Sequence, residues 1–176
     1  MATGPNTQQG MVTGLFRTRD DAERAYAALS NRGYSRDEVN VMMSDEARRR
    51  HFATDKDTDL GDKALEGAGV GSAIGGTVGA VVAAIAAIGT SLVLPGLGLV
   101  VAGPIAAALA GAGAGGLTGG LVGALVGAGI PEDRARLYES GLKEGGIVMG
   151  VKPRSPDDAR YFEEEWRNAR GEQVFR

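Results

Sequence analysis

Apolar positions change their period several times along this chain, and each change marks an element. Met11-Val12-Thr13-Gly14-Leu15-Phe16 is apolar on both sides of a two-residue alternation and predicts a buried strand. Ala22, Ala25, Tyr26 and Leu29 then recur at helical spacing. Thr18 stands three residues before Asp21 as an approximate capping box, and Gly33 ends the run. Past a turn at Ser35 to Asp37, Val39-Asn40-Val41-Met42-Met43 predicts a second strand. The C-terminal part repeats the plan. Gly146 to Val151 predicts a strand, and Ala159, Phe162, Trp166 and Ala169 line a helix with Pro156 at its first position. Gly171 is expected to close that helix before a short strand, Gln173-Val174-Phe175. Between the two parts, Asp45 to Phe52 predicts a brief charged helix. Pro131 to Gly145 predicts a surface helix with Ala135, Tyr138 and Leu142 as its apolar side.

The two flanks also share residues. Arg17-Thr18-Arg19-Asp20-Asp21-Ala22 is echoed by Arg154-Ser155-Pro156-Asp157-Asp158-Ala159. Two strand-helix-strand units with matching helix starts predict an α+β domain, a ferredoxin-like βαββαβ sheet split by an inserted segment. Val, Leu, Ile or Met occupies both alternating faces of its strands, so the face away from the two helices is expected to be covered, by a second copy or by the chain's own extra helices.

The inserted segment is of another kind. From Gly67 to Ile130 there is no charged residue, and glycine recurs every fourth position in two ladders: Gly67, Gly71, Gly75, Gly79, then Gly111, Gly115, Gly119, Gly123, Gly127. Residues four apart share one helical face, so each ladder draws a groove that admits a neighbouring helix backbone. Leu94-Pro95-Gly96-Leu97-Gly98 supplies turn chemistry between them, and the segment reads as an apolar α-helical hairpin, a glycine zipper. The expected organisation is a polar tail (1–10), a first βαβ half (11–44), a charged linker (45–66), the hairpin (67–130), a connecting helix (131–145) and a second βαβ half (146–176).

Arms of roughly 25 residues would extend about 38 Å, more than the ~30 Å of bilayer hydrocarbon. Against an ordinary anchor, no Phe, Trp or Tyr lies between Phe52 and Tyr138, so the aromatic belts of a membrane span are missing. A second row of small residues on each arm (Ser72, Gly76, Ala80, Ala84; Ala112, Gly116, Gly120, Ala124, Ala128) suits helices packed on more than one side. A homo-oligomer of hairpins in or on a membrane, in contact with lipid, is therefore expected, with a soluble self-assembled particle as the alternative.

Composition changes this picture little. Lys plus Arg (19) nearly balances Asp plus Glu (22), which gives no nucleic-acid footprint. Without cysteine there is no disulfide or thiolate chemistry, and a single histidine, His51, permits no His-based triad. Met1 to Gly10 has neither a basic start nor an apolar core, so no secretory signal is expected and the flanks are placed in the cytoplasm. Asp55, Asp57, Asp59 and Glu66 fall at positions 1, 3, 5 and 12 of a calcium loop. Leu60 replaces the glycine required at position 6, which leaves a weak calcium candidate against an acidic linker. Glycine-rich matches such as Gly67-Ala68-Gly69-Val70-Gly71 lack a leading strand and a phosphate-loop lysine, so no nucleotide, other cofactor or small-molecule substrate is expected, and no catalytic residue.

Val12-Thr13-Gly14-Leu15-Phe16, Asp20-Asp21-Ala22, Gly33-Tyr34 and Val39-Asn40-Val41, with the run Tyr138 to Met149, resemble the bacterial general stress protein 17M-like, or heat-induced stress protein, domain. The resemblance covers both flanks. It implies a stress-induced bacterial protein without a settled biochemical activity and without catalytic residues to carry over; with the hairpin, the expected place is the bacterial inner membrane with the flanks in the cytoplasm, or the cytoplasm alone, and no enzymatic activity is expected.

Overall fold

The computed structural model describes residues 10–52, 92–94, 98–106, 120–127 and 129–176. Among them, in chain order, lie β1 (Val12–Phe16), α1 (Arg19–Asn31), a 3-10 turn (Arg36–Glu38), β2 (Val39–Ser44), α2 (Asp45–Phe52), β3 (Leu92–Leu94) and β4 (Leu99–Ala102). There follow α3 (Gly120–Gly127), α4 (Glu132–Lys143), β5 (Ile147–Val151), α5 (Pro156–Asn168) and β6 (Glu172–Phe175). The six strands form one sheet in the order β3-β4-β2-β5-β1-β6, each neighbouring pair antiparallel.

Register explains why both strand faces are apolar. Val148 of β5 pairs with Leu15 on one side and Met42 on the other, and Ile147 pairs with Phe16 and Met43. Because side chains alternate, Phe16, Val41, Met43, Ile147 and Met149 enter one core, while Leu15, Met42 and Val148 enter another. The first core is roofed by α1 and α5. Trp166 is fully buried there, edge-on to Phe16 at 5.7 Å, and its indole N–H donates to the Ala25 carbonyl at 3.1 Å, which ties α5 to α1. The second core is roofed by Leu121 and Leu125 of α3, Ala135, Tyr138 and Leu142 of α4, and Ile105 and Ala106. The chain's own extra helices therefore cover the second face, and the result is a layered helix–sheet–helix unit.

Local chemistry sets the helix ends. The Thr18 hydroxyl accepts from the Asp21 N–H at 3.2 Å and the Ser155 hydroxyl from the Asp158 N–H at 3.0 Å, so the repeated sequence does the same capping work twice. At the other ends, Tyr34 N–H reaches Leu29 O, Ile130 reaches Leu125, Gly146 reaches Gly141 and Gly171 reaches Trp166. Each of these crosses a left-handed residue, in the Schellman pattern. Three of those residues are glycine (Gly33, Gly129, Gly145), but the fourth is Arg170 at φ 60. The α5 ending thus corrects the expectation placed on Gly171. Gly171 is the next residue along, needed because a Cβ there would stand 2.6 Å from Trp166 O.

The middle of the inserted segment also needs correcting. Residues 92–94 and 99–102 are strands rather than the ends of helical arms. The runs Leu92-Val93-Leu94 and Leu99-Val100-Val101 are short and branched, and β4 finds a strand partner in β2, where Val100 joins one core and Val101 the other. The glycine-proline stretch accordingly sits between two strands, with Gly98 at φ 60 and its carbonyl accepting from Asp45 N–H at 2.7 Å. Among the described residues no helix is long and apolar enough to cross a membrane.

Candidate functional site

Only part of the glycine ladders falls within the described residues. Gly67, Gly71, Gly75, Gly79, Gly111, Gly115 and Gly119 lie outside them, as do Asp55, Asp57, Asp59 and Glu66 of the calcium candidate. Gly123 and Gly127 are on α3. Leu121 and Leu125 of that helix are buried against the sheet, and each ladder glycine stands two residues further on, about 200° round the helix. Gly123 is half-buried and Gly127 exposed, beside Val126 at 43% exposure. No heavy atom lies within 4 Å of where a Gly127 Cβ would be. Gly127, the last residue of the second ladder, is thus exposed and not used up in packing on the sheet.

Residues 99–106 are joined tightly to the sheet. At the end of β4, Gly103 adopts φ 94, and a Cβ there would stand 2.2 Å from Val39 O, so only glycine fits. Residues 104–106 then begin a helical turn with Pro104 at its first position. Gly103 has no side chain to cap that turn. The cap comes from β2: Asn40, 2% exposed, accepts the Ile105 N–H on Oδ1 at 2.8 Å and donates from Nδ2 to Gly150 O at 3.2 Å. Where the segment returns, Gly141 of α4 meets β1 so closely that a Cβ would lie 2.3 Å from Leu15 Cδ2.

Two polar clusters complete the described chemistry. In the first, the Tyr138 hydroxyl donates to Gln173 O at 2.8 Å and accepts from Thr13 Oγ1 at 2.7 Å. Gln173 has φ 50 and occupies the irregular register between β1 and β6, so Tyr138 satisfies a carbonyl that the bulge takes out of the ladder. Burial pushes the Tyr138 hydroxyl up to about 12. In the second cluster, Arg154 stacks over the Tyr34 ring at 4.1 Å and grips Glu38 through two nitrogens, at 2.6 and 3.0 Å. The Tyr34 hydroxyl accepts from Arg154 N–H and donates to Asp158 at 2.8 Å. Hydrogen bonds from Arg154 and from the Ser35 N–H hold the Glu38 carboxyl down to about 2. Arg17, the counterpart of Arg154 in the sequence echo, makes the corresponding pair with Glu172 at 2.9 Å and adds Glu144 at 2.5 Å.

These clusters hold elements together, and each polar group in them has its partner. Sequence reasoning missed Asn40, the Tyr138 hydroxyl and the Arg154–Glu38 pair. A lone amide in Val-Asn-Val was a usable signal for the first, whereas the other two join residues far apart in the chain. Among the described residues no group of three or more His, Cys, Asp or Glu side chains could hold a metal ion. Comparison with known protein families, with curated proteins and with solved structures finds no match to this chain.

Proposed function

We propose that this is a non-enzymatic, self-assembling protein of the bacterial stress response, in which a sheet domain carries a glycine-zipper segment that packs with copies of itself in or on the inner membrane. The observation that carries the reading is the orientation of α3. Leu121 and Leu125 serve the domain core, while Gly123 and Gly127 continue the ladder on the opposite side, where another helix can approach. The same 67–130 stretch is uncharged and holds both ladders, so water is a poor solvent for it and lipid or sister copies are good ones.

The sheet domain we read as ferredoxin-like. In support, β1, β2, β5 and β6 lie in the order β2-β5-β1-β6, with α1 and α5 on one face, and β3 and β4 extend the β2 edge as part of the insertion. The stress-response assignment rests on the resemblance of both flanks to the heat-induced stress protein domain. On this reading the sheet domain lies on the cytoplasmic side.

The alternative is a soluble particle or filament whose zipper segments form its core, favoured by the missing aromatic belts. Fractionation separates the two: the membrane reading expects the chain in alkaline-washed membranes, and large regular particles in a detergent-free lysate with nothing in those membranes would replace it. Both readings expect Gly119→Leu to reduce the crosslinked oligomer, and an unchanged oligomer size would remove the ladder from the assembly.

A further inference from the structure

We propose that Asn40 sets the direction in which the inserted segment leaves the sheet, so that the folded domain dictates the geometry of the assembly. This rests on the assembly reading above. Asn40 is buried in the row where Thr13, Gly150 and Asn40 stand side by side on β1, β5 and β2, amid strands whose other inward residues are aliphatic or Met. A polar side chain there is costly unless fully bonded, and both ends of its amide are used. Gly150, between Thr13 and Asn40, has no side chain, and the space where its Cβ would stand is taken by Met11, whose Sδ would lie 2.9 Å away.

The amide links two bodies of different kind. Nδ2 holds β5 through Gly150 O, and Oδ1 holds the first helical turn after β4 through Ile105 N–H, from 65 positions away in the chain. An ordinary N-cap fixes a helix to its own preceding residue and leaves its direction free to follow that loop. Here Gly103 cannot cap, since any Cβ would strike Val39 O, and the cap is mounted on the central part of the sheet instead. The turn at 104–106 is therefore aimed by two constraints: the close passage of Gly103 over Val39 O and the hydrogen bond to Asn40. Asn40 is a positioning residue. It orients the turn through which the chain runs on toward the second ladder and has no part in the contacts between copies.

Amide hydrogen exchange on the full-length chain, read alongside particle size, tests this. Asn40→Leu keeps the branched shape of the side chain and removes both bonds; Ile105 N–H should then exchange roughly tenfold faster while β5 amides and Trp166 fluorescence, reporting the opposite core, hold their wild-type values. Asn40→Asp retains the acceptor and should keep Ile105 protected. If Asn40→Leu fails to fold, Gly103→Ala attacks the same joint from the other side and should expose Ile105 likewise. In the assembled protein Asn40→Leu should broaden the particle-size distribution. Unchanged Ile105 exchange in Asn40→Leu, or equal loss in Asn40→Asp, overturns the cap; lost protection with an unaltered size distribution overturns the control of geometry. A wild-type chain that stays monomeric removes the assembly reading alone, and exchange at Ile105 still decides the cap.

Discussion

Arg170 holds a left-handed conformation at φ 60 in a position where three equivalent helix ends of the same chain use glycine. A Cβ in that region costs about 1 kcal/mol. Arg170→Gly should therefore raise stability by about 0.5–1 kcal/mol in urea unfolding, with unchanged slope, and a destabilised variant would show that the Arg170 side chain matters more than its backbone. Tyr138 offers the opposite case. Tyr138→Phe strands the Gln173 carbonyl and the Thr13 hydroxyl in a buried place and should cost about 1–3 kcal/mol. The hydroxyl is raised from 10.0 to about 12, so the neutral form favours the fold. Its contribution is complete below pH 10 and is lost as pH rises through 12. Wild type should lose stability across that window more steeply than Tyr138→Phe.

Elements meet here at close range, and glycine decides how close. Gly141→Ala places a methyl group against Leu15 and should lever α4 from β1, at a cost of about 1–3 kcal/mol seen in thermal unfolding. A neutral result would mean that Leu15 finds another rotamer freely. Legibility in the sequence followed the range of the forces. α1 and α5 were readable because Thr18, Ser155 and Pro156 act within one turn, and the apolar stripes through Leu29 and Trp166 keep one period. β1, β2 and β5 were readable because both faces are filled. β3 and β4 were not, since three or four apolar residues beside a proline fit a strand or a helix end equally until a partner strand exists. Arg170 was illegible because a non-glycine residue takes the left-handed position that local preference gives to glycine, and the lone amide of Asn40 was visible while its partner, a turn 65 positions away, was not. Of the candidate site, the glycine periodicity was plain, while its orientation at Gly123 and Gly127 needed the burial of Leu121 and Leu125.

Across the whole molecule, long-range ion pairs repeat with the internal symmetry. Arg154–Glu38 fastens the first half to the second, and Arg17 fastens β6 and the end of α4 to the start of α1. Glu38 is held at about 2 against an ordinary 4.5, so its pairing stabilises the fold above pH 4.5 and the benefit fades as pH falls toward 2. Partial exposure on both sides of the pair keeps the effect modest. Acid titration of the unfolding midpoint should show a shallower decline between those pH values for Glu38→Gln than for wild type; identical slopes would assign the acid sensitivity to other carboxylates.

The sheet order has a consequence for synthesis. Asn40 and Gly150 lie on paired strands yet are 110 positions apart, and β1 likewise awaits β5. Closing so long a loop adds little to the equilibrium cost, because that cost grows only logarithmically with length, but it fixes an order of events. A ribosome adding ~5–20 residues per second delivers the whole uncharged stretch before the strand that completes the sheet. The uncharged 67–130 stretch therefore leaves the ribosome before β5 can close the sheet between β1 and β2.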